Sequence, residues 1–184
     1  MKTTDLSLIS VFIGISAVSR YVLPIPNIKP NAFLAITGGI LLGPSAGFLI
    51  GALGMVISDL FIGAGLWTLV TASTMGLLGF LGGIFWHRRM NGLNIFELAL
   101  GGYLLTLIYD IVTSIWIVPF LAPNFEASLH HYIIAFMGLF FPVSGVPYPF
   151  GLVHELTTAI LMATAAPVII RFFNGFTVPK EGKL

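Results

Sequence analysis

Long apolar runs separated by proline and glycine constrain this chain more than any other feature of its sequence. Most of the six runs approach the roughly 17 to 25 residues that a helix needs to cross a bilayer. They cover about Leu6–Leu23, Asn31–Leu42, Ala46–Ile62, Leu66–Trp86, Leu93–Val118 and Leu152–Phe173. Only 8% of the residues are charged, against roughly 25% in a soluble domain. We therefore predict an all-α membrane protein, a bundle of six transmembrane helices that forms one domain over residues 1–184.

Proline and glycine set the ends of these runs. Residues 24–30 contain three prolines, which cannot continue a helix. Residues 43–45 and 63–65 separate the next pairs of runs, and Pro119 is expected to end the fifth. Small-residue faces, such as the pair Gly79 and Gly83, are interpreted as sites of close helix packing. Residues 87–92 form the most polar interior loop.

The segment His130–Phe141 has only about a dozen residues suited to a membrane, which favours an extracellular re-entrant or interfacial segment over a span. Charge supports this interpretation. With six spans and a cytoplasmic N-terminus, most of the eight basic residues lie inside, and only Arg20 and Lys29 lie outside. A seventh span would divide them evenly. We predict a multi-pass protein of the plasma membrane with both termini in the cytoplasm.

Ionisable and aromatic residues gather at the predicted outer ends of five helices. A charge within the bilayer costs ~2.5 to 3.5 kcal/mol, so such groups usually face a cavity or one another. On the fifth helix, polar residues from Tyr103 to Thr113 recur at spacings of three or four, which places them on one face. We expect a ligand pocket that opens to the outside. Its candidate residues are Arg20, Tyr21, Asn27, Lys29, Asp59, Trp67, Thr68, Tyr109, Asp110, Tyr148, His154 and Glu155.

Simpler interpretations exist for single residues of this set. Arg20 and Asp59 would also fit an ion pair near the lipid headgroups, and Trp67 would fit an interfacial anchor. Convergence from five helices favours the pocket. The mixture of both charge signs does not indicate a simple anion as the ligand.

The chain lacks the residue patterns of an enzyme or a metal site. It has no cysteine, and no serine stands in a Gly-x-Ser-x-Gly context, so no catalytic nucleophile is indicated. The neighbours His130 and His131 would point about 100° apart on a helix, which does not suit a shared metal ion. There is no Walker lysine, and neither a cofactor nor a nucleic-acid partner is expected. Energy for transport would come from another protein or from an ion gradient.

Three segments resemble one family of membrane proteins. They read RYVLPIPNIKP at residues 20–30, GILLGPSAGFLIGAL at 39–53 and DLFIGAGLWT at 59–68. This pattern is similar to that of the substrate-binding S components of energy-coupling factor (ECF) vitamin transporters. The resemblance covers about residues 6–90, and the remainder agrees in size and number of helices.

The resemblance implies a six-helix subunit that captures a vitamin or related micronutrient in an outward-facing pocket. Energy would come from a transmembrane coupling subunit and two cytoplasmic ATPases. Small residues four apart on the first helix contact the coupling subunit in this family, and here Ser10, Gly14 and Ala17 stand in the corresponding region. A cobalamin-type compound is the leading expectation for the substrate. Thiamine, riboflavin, biotin and queuosine precursors remain alternatives.

Two other classes of function remain open. An ion- or proton-coupled secondary transporter could use Asp59, Asp110 and Glu155 as a relay. Such carriers normally have paired repeats, and no segment of this chain has a second copy. A membrane enzyme with a histidine base is less favoured still.

Overall fold

Helices make up the structure, a computed structural model that describes residues 3–22, 28–121, 124, 126, 129, 132–133, 137 and 151–177. The helices are α1 (Thr3–Val22), α2 (Asn31–Leu42), α3 (Pro44–Ile62), α4 (Leu66–Trp86), α5 (Ile95–Leu121) and α6 (Leu152–Thr177). A 3-10 turn at His87–Gly92 joins α4 to α5. All of these helices except α2 are long and apolar enough to cross a membrane. The prediction of an all-helical chain with long apolar helices is confirmed.

The short helix α2 lies at the centre of the bundle. Its 12 residues rise only ~18 Å, which is less than the ~30 Å of a bilayer core. Every residue from Asn31 to Ile40 is buried, because α1, α3, α4 and α6 all pack against this helix. A helix that is apolar on all sides suits such enclosure by protein.

Glycines bring α2, α3 and α4 together at the end of the bundle near the 3-10 turn. A Cβ atom added to Gly47 would collide with the backbone of Gly79, and one added to Gly79 would collide with Gly47. Gly39 and Gly83 lie equally close to neighbouring backbone. Backbones approach this closely only where side chains are absent. The prediction that Gly79 and Gly83 mediate close helix packing is therefore confirmed.

The prediction that Pro119 ends the fifth helix is wrong, since α5 continues to Leu121. Proline has no N–H and cannot bond to the carbonyl four residues before it, here that of Ile115. The Tyr132 hydroxyl donates to the Ile115 carbonyl at 3.0 Å instead, which satisfies the freed acceptor.

Most of the segment His130–Phe141 lies outside the described residues.

Candidate functional site

A cavity opens at the end of the bundle where α1 and α3 end and α4 and α6 begin. Each of the six helices contributes one residue to its lining, and the α1–α2 connection contributes another. The lining residues are Arg20, Lys29, Asn31, Met55, Met75, Tyr109 and His154. The cavity is narrow, with a volume of about 30 Å³. Pockets that enclose small molecules measure roughly 300 to 1,000 Å³, so these side chains must move apart to admit a ligand.

One wall of the cavity is held by an ion pair between α1 and α3. Arg20 Nη1 donates to Asp59 Oδ1 at 2.5 Å and also to the Ser58 hydroxyl. The second oxygen of Asp59 accepts a hydrogen bond of 2.7 Å from Thr68 Oγ1 on α4. Both carboxylate oxygens are therefore engaged. Asp59 and Thr68 do not line the cavity, but they fix the guanidinium group that does.

Lys29 brings a second cation to this wall from the connection between α1 and α2. It is partly buried and lines the cavity. Its pKa is lowered from the usual value, mainly because burial removes water from the ammonium group. The charge of Arg20 lowers the pKa further, and the charge of Asp59 opposes the shift.

The opposite wall contains a histidine that is oriented by a carboxylate. His154 Nδ1 lies 3.0 Å and 3.2 Å from the two oxygens of Asp110. A carboxylate beside Nδ1 favours the tautomer that carries its proton there, which leaves Nε2 as an acceptor in the neutral ring. The His154 ring also packs edge-to-face against Tyr109, with centroids 5.8 Å apart. Asp110 thus orients a residue of the cavity without lining it.

Glu155 lies beside this pair but does not line the cavity. Its side chain is fully buried. The Tyr103 hydroxyl is the hydrogen-bond donor nearest to its carboxyl group, and Asp110 and His154 lie close enough to act on its charge.

The remaining predicted site residues take other places. Tyr21 is 68% exposed, and Trp67 is 39% exposed with its ring against Gly65, so neither lines the cavity. Asn27 and Tyr148 lie outside the described residues. The structure therefore brings Arg20, Lys29, Tyr109 and His154 to one cavity, while Asp59, Thr68 and Asp110 support them.

Three residues of the cavity were missed by the sequence analysis. Met55 and Met75 carry no signal that separates them from ordinary core methionines. Asn31 offers one, since it is a polar residue at the start of an otherwise apolar buried helix. An amide in such a place needs a partner, and that requirement could have identified it.

The predicted contact residues for a partner lie along α1. Ser10 and Gly14 are exposed, and a Cβ atom added at Gly14 would meet nothing within 4 Å. Ala17 is 6% exposed and belongs to the core of the bundle.

A family model described as "ECF-type riboflavin transporter, S component" matches residues 1–162 of the chain. The match extends well beyond residues 6–90 and includes every residue that lines the cavity. No curated protein and no solved structure matches the chain significantly.

Proposed function

Because the chain belongs to the family of ECF-type riboflavin transporter S components, we propose that it captures riboflavin for an ECF-type importer. The family consists of transporter subunits, and the long apolar helices make this chain a multi-pass membrane protein. Riboflavin was one of the alternatives open from the sequence. The leading expectation, a cobalamin-type compound, is not confirmed, since the family description names riboflavin.

The pairing of charges around the cavity is the observation that best supports a neutral ligand such as riboflavin. Arg20 is neutralised by Asp59, and His154 is held by Asp110. Among the described residues that line the cavity, only Lys29 carries a charge without a direct partner, so at most one positive charge is available to a ligand. Riboflavin carries no net charge, and it combines ring carbonyls with N–H and hydroxyl donors.

The other lining residues suit the aromatic part of such a ligand. Tyr109 offers a rigid ring, and the thioethers of Met55 and Met75 adapt their shape and contact aromatic rings favourably. Arg20 and Lys29 supply donors for carbonyl oxygens, and His154 Nε2 supplies an acceptor. The lining residues therefore offer apolar contacts and hydrogen-bonding groups of the kinds that a flavin needs.

Energy coupling is assigned to other subunits. In this proposal a transmembrane coupling subunit contacts the exposed face of α1 at Ser10 and Gly14, and two cytoplasmic ATPases drive transport. The absence of side-chain bulk at Gly14 would allow a partner helix to approach closely. Ala17, which is buried, would support this face from within.

Measurements of binding and uptake distinguish this function from the alternatives. The purified chain should bind riboflavin in calorimetry but accumulate none in vesicles, and adding the coupling subunit and ATPases should produce uptake that depends on ATP. Binding of cobalamin without binding of riboflavin would replace the substrate while retaining the class of function. Absence of binding to either compound would contradict the proposal.

The alternative function is an ion- or proton-coupled carrier. The buried Glu155 beside Asp110 and His154 is the observation that favours it, because such groups inside membranes often form proton relays. Concentrative uptake by the chain alone, driven by an ion gradient, would establish this alternative.

For the membrane topology we retain six spans with both termini in the cytoplasm, α2 being a short span enclosed by protein. The segment His130–Phe141 then lies on the outside as an interfacial or re-entrant element. A reporter fused after Leu184 should be active only inside the cell, and one inserted near Asn124 should report the outside. Activity on the opposite side at either point would contradict this topology.

A further inference from the structure

Asn31 is a buried amide at the start of α2, the short helix at the centre of the bundle. It is 2% exposed and opens α2, whose following residues are apolar or small. A buried amide costs free energy unless its donors and its acceptor find partners. The arrangement of its hydrogen bonds is therefore informative.

The orientation of this amide follows from its contacts with α1. Asn31 Nδ2 lies 3.3 Å from the backbone carbonyl of Ser16 and 3.2 Å from the Ser16 hydroxyl. A backbone carbonyl can only accept, so the group that faces it must be the amide NH₂. The side-chain oxygen is consequently directed away from Ser16.

That oxygen, Asn31 Oδ1, has no hydrogen-bond partner among the residues that the structure describes. Asn31 also lines the cavity, beside Arg20 and Lys29. An unpaired buried acceptor costs about 1 to 3 kcal/mol, a cost that a bound ligand with a matching donor would remove.

We propose that Asn31 is a specificity-determining residue whose side-chain oxygen accepts a hydrogen bond from an N–H or O–H group of the ligand. Ser16 acts as the positioning residue that holds the amide in this orientation. The inference rests on the proposed function, and it adds a ligand contact that the family match does not assign. In the neutral ring His154 Nε2 provides a second acceptor, so a ligand that satisfies both atoms carries at least two N–H or O–H donors.

A double-mutant cycle between protein and ligand tests this contact. Riboflavin, 3-methylriboflavin, which lacks the ring N–H, and lumiflavin, which lacks the hydroxyl chain, are titrated into the wild-type chain and into Asn31→Leu. The wild type should bind one of the two analogues about five- to 150-fold more weakly than riboflavin. Asn31→Leu should lose a similar factor for riboflavin and should bind that analogue as well as the wild type does.

The controls separate a lost contact from a lost fold. Thermal unfolding is recorded for each ligand-free variant, and if Asn31→Leu does not fold, the cycle is repeated with Asn31→Ser. Ser16→Ala keeps both Asn31 Oδ1 and the Ser16 carbonyl, so it should weaken riboflavin binding less than either Asn31 variant does.

The outcomes distinguish the two proposals. If the wild type binds riboflavin and the Asn31 variants bind all three flavins with unchanged ratios, the oxygen contacts no ligand and this inference fails alone. If the wild type binds no riboflavin, the proposed substrate fails and the inference fails with it.

Discussion

Each end of the bundle contains an arginine–carboxylate pair, and the two pairs lie in opposite environments. The side chains of Arg20 and Asp59 at the cavity are 14% and 4% exposed, whereas those of Arg89 and Glu97 are 61% and 25% exposed. An exposed pair contributes only about 0 to 1 kcal/mol, but a buried pair that loses one partner costs about 3 to 5 kcal/mol. The same chemistry therefore supports the structure at one end and adds little at the other.

Close contacts between helix backbones are found at the other end of the bundle from the buried ion pair. Near the 3-10 turn, glycines such as Gly47 and Gly79 allow helices to touch directly, so no polar side chain is needed to hold them. At the cavity, the helices present larger side chains such as Met55 and Tyr109. One end is stabilised by close packing, and the other by polar bonds around the cavity.

The largest effect is expected from Asp59→Asn. This change leaves the partly buried Arg20 guanidinium without its counter-charge, and we expect the free energy of unfolding to fall by about 3 kcal/mol. The measurement is denaturation of the ligand-free chain in detergent. The double variant Arg20→Met with Asp59→Leu should recover part of the loss, because it removes both charges. A loss no larger than that of Glu97→Gln would contradict the difference between the two ends.

A smaller loss of stability is expected from Gly79→Ala. The new methyl group would collide with the Gly47 backbone, and overpacking of this kind costs about 1 to 3 kcal/mol. Gly14→Ala is the matched control, since it makes the same change on an exposed helix face. It should be neutral or stabilise the chain by up to about 1 kcal/mol, because alanine favours helix. Equal unfolding temperatures for the two variants would exclude backbone packing as the source of stability.

Much of this difference between the ends could be predicted from the sequence. The apolar runs predicted where the helices lie, and the alternating direction of the helices predicted that Arg20, Lys29, Tyr109 and His154 share one depth in the membrane. Depth alone does not determine which side chain faces the cavity and which one faces a neighbouring side chain. Asp59 was predicted as a ligand contact, but its position against Arg20 and Thr68 depends on how α1, α3 and α4 are rotated.

Other features depended on contacts between distant segments. The helix α5 continues past Pro119, and the freed carbonyl of Ile115 accepts a hydrogen bond from Tyr132, which no local pattern reveals. The role of Asn31 depends on Ser16, which lies on another helix. Apolar composition indicated that α2 is buried, but it did not indicate which polar atom would face a cavity.

The substitution His154→Asn tests whether the cavity end of the bundle binds the ligand. The asparagine NH₂ can replace Nδ1–H as the donor to Asp110, while the acceptor at the Nε2 position is lost. Riboflavin affinity should fall about five- to 150-fold, with a smaller change in stability. His154→Gln reaches further into the cavity and should retain more affinity than His154→Asn. Equal affinity of all three proteins would show that Nε2 contacts no ligand.

The smallest effect is expected from Glu97→Gln at the other end. Glu97 accepts from Trp86 Nε1 at 2.8 Å and pairs with Arg89, and glutamine keeps an oxygen for the Trp86 bond while it removes the charge. Because the ion pair is exposed, the free energy of unfolding should change by less than about 1 kcal/mol, and less at high salt. Riboflavin affinity should remain within about twofold of the wild-type value. The loss of a ligand contact worth about 1.4 kcal/mol would instead lower the affinity tenfold. Calorimetry on this variant and on Asp59→Asn, in the same detergent and at two salt concentrations, compares the two ends directly. A loss of affinity in Glu97→Gln as large as that in His154→Asn would mean that the polar group beside the 3-10 turn is coupled to the cavity at the opposite end of α4.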